Sequence, residues 1–300
     1  MAGLHPLLGG TAFFGLLAAA CWGGGDFGGS IAVKRAGGTV RASLLVVIVG
    51  HLVSLSVLVA VAIRAHSALP PISAVLWGVG GGAVSGIALI AFYFALSSGH
   101  MGSAASVSGL LCAAVPAVVS ELTEGFAHWP QFAGFALAAA AIWLIASTAE
   151  AGTTASRKVT LLAALSGIGF GIYFVALKQA GLSGLLWPMV SARVGSAGIC
   201  TVLFLLFALR ERGKEPGTMM PRVDVTLLLW IIGGATLDLV GNMSFVQATR
   251  LGRLDVAAVL ASIYPAGTIL LAALVLHEKT TARQRWGMAL ALPAVVLITL

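Results

Sequence analysis

The sequence predicts an all-α polytopic membrane protein: ten transmembrane helices, arranged as two inverted five-helix repeats around a central cavity. Three observations predict it. Of the 300 residues, 59% are apolar and only 9% charged, with a mean hydropathy of +1.03. Soluble domains carry about 25% charged residues, so a soluble core is excluded. Second, ten apolar runs reach or approach the roughly 20 residues that cross the hydrocarbon as a helix. Third, the second half of the chain repeats the first.

The runs cover 11–35, 40–64, 74–97, 103–122, 131–149, 159–179, 187–210, 225–248, 254–276 and 284–300. In the first run, Ala18-Ala19-Ala20 has the small-residue form of a cleavage site. No Lys or Arg precedes it and the apolar stretch continues to Val33, so this run reads as an uncleaved span. The connections are short and marked by Gly, Pro or charge: AGGT at 36–39, HSALPP at 66–71 and SGHMG at 98–102. The longest is RERGKEPGTMMPRVD at 210–224, and no stretch is left over for a soluble domain. The 38 glycines fit spans whose backbones pack closely.

Residues 76–99 align with 229–252 at a constant offset of 153. The offset matches Trp77 to Trp230, Gly80 to Gly233, Gly81 to Gly234, Phe92 to Phe245, Ala95 to Ala248 and Gly99 to Gly252, and further on Gly134 to Gly287. Earlier in each half the offset is 144: AVKRAG at 32–37 meets ALKQAG at 176–181, and Gly23 and Gly25 meet Gly167 and Gly169. The longer connection at 210–224 accounts for most of the change. The repeats are 1–150 and 151–300, with five spans each. Five is odd, so the second repeat must insert upside down, around a pseudo-two-fold axis in the membrane plane. Such an arrangement places a site near the midplane and gates it from alternate sides.

The net charge of +7 reads as topology, because Lys and Arg sit at the ends of the runs. No basic face with interleaved aromatics exists to track a phosphate backbone, so nucleic acid is not a partner. Connections after the odd-numbered spans carry twelve cations: Lys34, Arg35, Arg41, Arg157, Lys158, Arg210, Arg212, Lys214, Arg222, Lys279, Arg283 and Arg285. The other side carries four: Arg64, Lys178, Arg250 and Arg253. The positive-inside rule then places both termini outside. Cys21, Cys112 and Cys200 lie inside apolar runs without CxxC spacing and read as packing residues.

An ionisable side chain inside a span costs about 2.5–3.5 kcal/mol on insertion scales, so such residues mark function or pairing. Four lie well inside: Asp26, His51, Arg193 and Asp238. Trp22, Asp26 and Ser30 are four apart and share a helix face, offering a stacking surface, a charge or proton site, and a hydroxyl. Asp238 and Asn242 share a face of the eighth run. Arg193 lies at comparable depth on the seventh, and an Arg193–Asp238 pair would neutralise both charges, either as a structural tie or as part of a pathway. His51 reads as a packing histidine or as a group titrating near neutral pH. Asp26, Asp238 and His51 are the candidates for proton coupling. Tyr93, Tyr173 and Tyr264 are candidate cavity rings or interfacial anchors, with Tyr264 the strongest because it is mid-span. Pro116 and Pro265 each remove a backbone hydrogen bond and kink their span. Glu121, Glu124 and Glu278 fall at span ends, as interfacial or loop-capping charges.

Several motif matches fail on context. Gly23-x-Gly25-x-x-Gly28 fits a dinucleotide fingerprint by letter but follows no strand and lies inside a span. Asn242-Met243-Ser244 fits a glycosylation sequon inside the bilayer. There is no GxxxxGK[ST], no HExxH and no clustered His/Cys ligand set, so neither cofactor nor metal is expected. An intramembrane enzyme would need converging catalytic groups; the polar residues here are few and spread over spans 1, 2, 7 and 8.

Residues 245–290, FVQATRLGRLDVAAVLASIYPAGTILLAALVLHEKTTARQRWGMAL, resemble the EamA family of the drug/metabolite transporter superfamily. Ala248 and Gly252, Tyr264-Pro265 in mid-helix, Glu278 at the helix end and Gly287 in the last span carry the resemblance. The first half keeps Ala95, Gly99, Gly134 and, beside the expected place, Glu124. It departs at the proline, since Pro116 lies one turn after Cys112, the position matching Pro265. The resemblance implies ten helices in two EamA repeats, a central cavity and transport of small metabolites, often export. It also implies cytoplasmic termini, against the charge count. The expectation is a secondary active transporter in a bacterial inner membrane. It would move a small polar metabolite, an amino acid or a related compound, by alternating access, with export the direction expected. The alternatives are uptake or exchange of a sugar-type metabolite and, least of all, an intramembrane enzyme. Its partners are the lipid bilayer and the small-molecule substrate, with monomer and oligomer both open.

Overall fold

The computed structural model describes residues 5–97, 101–146, 157–210, 224–275, 277 and 281–299; within these, the side chains of 5–8, 93–97, 101–106, 145–146, 269, 272 and 299 are not described. All regular structure among them is helical. The helices are α1 (His5–Arg35), α2 (Val40–Arg64), α3 (Ile72–Ser97), α4 (Met101–Glu124), α5 (Trp129–Ala146), α6 (Arg157–Gly181), α7 (Leu186–Arg210), α8 (Val225–Leu251), α9 (Leu254–Ala261), α10 (Tyr264–Val275) and α11 (Ala282–Thr299). Eight stretches among the described residues are long and apolar enough to cross a bilayer, the last of them spanning α9 and α10. The connection at 211–223 and Glu278 fall outside the described residues.

Local sequence explains where helices start. Gly37 and Gly38 turn the chain with φ of 104° and 67°, a region that costs glycine nothing. Thr39 then caps α2, its hydroxyl accepting from Ala42 N at 3.1 Å. Asp224 caps α8 in the same manner, Oδ1 accepting from Leu227 N at 2.6 Å.

The ninth run requires a correction. Tyr264-Pro265 does not sit in mid-helix; the run is two helices, with Pro265 in the first turn of α10. Pro265 has no N–H to offer, and its ring clashes with the carbonyl four residues back, that of Ala261, where α9 ends. Tighter i→i−3 bonds bridge the break: Ile263 N to Leu260 O at 3.3 Å and Ala266 N to Ile263 O at 2.9 Å. All of α9 is buried. Pro116, by contrast, is carried inside an unbroken α4.

Packing follows the glycines. α1 runs antiparallel to α8, with Gly10 near Leu251 and Gly28 near Gly234. α3 runs antiparallel to α6, with Gly81 on Ala176 and Ala88 on Gly169. α4 lies parallel to α6, through Ser108 at Gly167 and Val115 at Gly171. The α9–α10 pair lies parallel to α1, through Leu260 at Gly15 and Tyr264 at Gly23. α2 packs against α7, and α5 against α11. Glycines matched between the halves make matched contacts. A Cβ on Gly234 would stand 3.3 Å from Gly29 N, and one on Gly81 would stand 3.5 Å from the ring of Tyr173, the residue matched to Gly29. A Cβ on Gly23 would meet Tyr264 O at 2.8 Å, and one on Gly167 would meet Leu111 at 2.9 Å, Leu111 being matched to Tyr264.

At one end of the bundle, charges tie α4, α6 and the α8–α9 connection together. Lys178 pairs with Glu124, and Arg253 pairs with Asp255 at 2.7 Å and Glu121 at 3.3 Å. The hydrogen bonds that Arg253 donates to Asp255 hold its guanidinium above its ordinary pKa. Glu121 also accepts from Ala127 N, and Glu124 from Leu254 N, so both carboxylates cap the connections beside them.

The glycine contacts make a testable distinction. Gly167→Ala drives its methyl against the Ser108 carbonyl and should destabilise the protein by about 1–3 kcal/mol. Gly198→Ala points into open space and should be neutral or stabilising by up to about 1 kcal/mol. Thermal unfolding of both variants in detergent micelles checks this; equal midpoints would refute the packing assignment.

Candidate functional site

The glycine-rich stretch of α1 lets that helix lie against two neighbours at once. Gly23 faces α10, where Thr268 Oγ1 donates to Gly23 O at 3.1 Å, and Gly25 and Gly28 face Gly234 on α8. What remains of the α1 surface turns toward a chamber of about 680 Å³ in the middle of the bundle. A second chamber of about 570 Å³ adjoins it, and the two share Trp22, Asp26, His51, Leu89 and Asp238.

The two chambers differ in character. Aromatic rings wall the first: Trp22 stacks on Phe174 with centroids 5.1 Å apart and planes 11° from parallel, and Phe92 meets Phe170 edge-on at 6.0 Å. Gly241 makes room for the Trp22 indole, which a Cβ there would approach to 2.7 Å. Backbone lines much of the second chamber, at Gly25, Gly29, Gly50 and Gly234.

The four intramembrane ionisable residues, far apart in sequence, all face this space. Arg193 Nη2 lies 2.6 Å from Asp238 Oδ2. The Arg193 side chain is 5% exposed and that of Asp238 36%, so Asp238 is the partner that faces the chamber, although Oδ2, the oxygen on Arg193, is buried. Arg193 Nη1 reaches His51 Nε2 at 3.2 Å. A ring nitrogen that accepts from a guanidinium carries a lone pair, which places the imidazole proton on Nδ1. On the other side, Asn242 Nδ2 donates to Asp238 Oδ1 at 3.0 Å and to Asp238 O at 2.7 Å. Tyr173 Oη completes the chain by donating to Asn242 Oδ1 at 2.9 Å. One continuous network therefore joins His51 on α2, Arg193 on α7, Asp238 and Asn242 on α8, and Tyr173 on α6.

Asp26 stands outside that network. Its carboxylate is open to the chamber, and no hydrogen bond or ion pair joins it to another described residue. Tyr264 and Trp22 line the same chamber. Ser30 shares the α1 face but lies beyond the cavity, its hydroxyl donating to Phe27 O at 2.8 Å. The Tyr93 side chain lies outside the described residues. Just after the α9–α10 break, Tyr264 lines the chamber together with Cys112 on α4.

Sequence reasoning missed Ser85, Leu89, Phe92, Phe170 and Phe174. The repeat held the signal for three of them. Phe170 is matched to Asp26 at offset 144, and Ser85 and Leu89 are matched to Asp238 and Asn242 at offset 153. All six line the chamber, so it sits where equivalent positions of the two halves face each other.

A comparison with family models identifies the second half directly. Residues 157–300 belong to the EamA-like transporter family. This EamA unit supplies Tyr173, Arg193, Asp238, Asn242 and Tyr264 to the chamber. The family lies in the drug/metabolite transporter superfamily. With its apolar helices, the family assignment makes the chain a multi-pass integral membrane protein. No curated protein matches the chain. A solved crystal structure 17% identical in sequence aligns over 96% of this chain and 95% of its own, with a TM-score of 0.72, which is a likeness of fold.

Arg193→Met should leave Asp238 without its cation and destabilise the protein by about 2–3 kcal/mol. That is less than the roughly 3–5 kcal/mol of a fully buried pair, because Asp238 faces the chamber. Arg193→Met combined with Asp238→Asn should recover most of the loss. Unfolding midpoints of the two single variants and the double variant measure the coupling; additive losses would mean the pair carries no mutual stabilisation.

Proposed function

We propose that the protein is a secondary active transporter of the EamA type in a bacterial inner membrane. In this reading it moves a small polar metabolite, an amino acid or a related compound, with export as the direction. The observation that carries it is the central chamber, walled by equivalent positions of both halves and holding all four intramembrane ionisable residues. Intramembrane charge is costly, and its concentration around one chamber fits a substrate pathway.

The architecture proposed is two inverted EamA repeats, 1–150 and 151–300, with five spans each and α9–α10 together as the ninth span. Helix neighbours support it. Exchanging the halves turns the α1–α8 contact into α6–α3, and turns α1–α9/α10 into α6–α4, with the relative directions preserved. The contacts α2–α7 and α5–α11 map onto themselves. Rocking of one repeat against the other would then open the chamber to each side in turn.

Within that cycle we assign proton coupling to Asp26, Asp238 and His51. Asp26 is open and unpaired, so a proton there costs no internal bond. A proton on His51 Nε2 would end its bond to Arg193.

Two measurements test the reading. Cells overexpressing the chain should gain resistance to, or export, particular metabolites in a screen of amino acids and related compounds; a silent screen together with inert proteoliposomes would refute transport. In proteoliposomes, Asp26→Asn should flatten the pH dependence of flux and lower its rate by about tenfold or more. Unchanged flux and pH dependence would remove Asp26 from the coupling.

A further inference from the structure

The charges around the chamber do not balance, and the imbalance has a sign. Asp26 and Asp238 contribute two negative charges and Arg193 one positive charge, while His51, accepting from Arg193, is neutral. The sum is −1. It is not spread over the site, because Asp238 is already held by Arg193 and by Asn242. The uncompensated charge is that of Asp26.

Among the described residues, the other elements packed around Asp26 supply no cation for it. α8 presents Asp238, α2 presents His51 and α10 presents Tyr264. Arg193 on α7 is occupied by Asp238 and His51. On α1 itself, Lys34 and Arg35 stand eight and nine residues further on, about 12–13 Å along the helix axis. A carboxylate in an apolar cavity requires a counter-charge or a proton. The same chamber is walled by Trp22, Phe92, Phe170 and Phe174, with Trp22 and Phe174 stacked on each other, and such a wall packs the apolar body of a ligand.

We infer that the chamber's ligand is a small organic monocation, an amine with an aromatic or apolar body, whose ammonium pairs with Asp26. The inference rests on the transport reading and narrows its substrate class. An amino-acid zwitterion fits less well, since its carboxylate would need a free cation and Arg193 is already neutralised. An anion meets the wrong sign. A proton and the cation would compete for the same carboxylate, so binding one displaces the other.

The test is calorimetric titration of the purified full chain in detergent near neutral pH with four probes of similar shape: phenethylammonium, neutral 2-phenylethanol, anionic 3-phenylpropionate and zwitterionic phenylalanine. Phenethylammonium should bind tightest, with the other three weaker by about tenfold or more. Asp26→Asn should weaken phenethylammonium by about thirtyfold, and Asp26→Glu should retain most of the affinity. Should Asp26→Asn fail to fold, the probe series on the wild type and Asp26→Glu carries the test. Equal or tighter binding of phenylpropionate or phenylalanine, wild-type affinity in Asp26→Asn, or no binding by any probe overturns the inference. Flux assays with the same probes in proteoliposomes separate it from the transport reading. Phenethylammonium that binds without flux, beside inert controls, sinks transport and keeps the ligand class. Flux of phenylalanine or phenylpropionate that phenethylammonium does not inhibit keeps transport and sinks the ligand class.

Discussion

Arg193 cannot give up its charge, and it sits at 5% exposure inside an apolar bundle. Much of the central architecture answers that constraint. Asp238 supplies the counter-charge from α8 and His51 an acceptor from α2, so one guanidinium fixes the relative depth of three helices. Asn242 and Tyr173 extend the arrangement to α6 by satisfying the second oxygen of Asp238. The close approach of α1 to α8 at Gly25, Gly28 and Gly234 then brings Asp26 to the same space. Since Arg193 is paired with Asp238 and bonded to His51, no cation among the described residues is left for Asp26.

The frame around these residues is close to symmetric, and the chemistry is not. Matched glycines hold matched helix pairs in both halves. The chamber lies where Asp26 and Phe170, Ser85 and Asp238, Leu89 and Asn242, and Gly29 and Tyr173 fall opposite one another. In each pair one half offers polarity and the other an apolar, small or weakly polar group. Duplicated packing residues keep the fold, because any change to a glycine at a helix contact costs stability. A side chain that faces the chamber meets no neighbouring helix backbone, so the matched positions there differ without that contact cost.

Much of the fold was legible because bilayer physics is simple. Backbone groups must be satisfied within each segment, so a long apolar run can only be a helix, and predicted and observed limits differ by a few residues. The α9–α10 break was half legible. Pro265 marks it, but hydropathy is blind to a lost carbonyl partner and reads 254–276 as one run. The site was legible as residues and not as a place. Burial cost singled out Asp26, His51, Arg193 and Asp238. Which spans are neighbours, and which face of each turns inward, depends on packing between distant segments, so comparable depth suggested the Arg193–Asp238 pair but nothing in the sequence brought His51 and Asp26 to it. Ser30 shows the converse: its four-residue spacing from Asp26 is right, but the chamber ends before its turn of the helix. Phe170 and Phe174 look like ordinary lipid-facing residues until α6 is docked on α3.

The division of the network between the halves bears on how such a site would work. Tyr173, Asn242, Asp238 and Arg193 all belong to the second half, so the bonds among them survive any rigid movement of one half against the other. His51 and Asp26 belong to the first. Within the network, the bond that crosses between halves is the one from Arg193 Nη1 to His51 Nε2, and it is longer than the Arg193–Asp238 contact, 3.2 Å against 2.6 Å. A rocking motion would therefore leave the ion pair intact and would test this one contact, together with the distance from Asp26 to Asp238. Two carboxylates that approach repel unless one gains a proton or a cation lies between them. In the proposed cycle, occupancy at Asp26 and the relative position of the halves would thus be linked by electrostatics. That linkage is what alternating access requires of a binding site: the ligand must interact differently with the two arrangements, or it shifts neither.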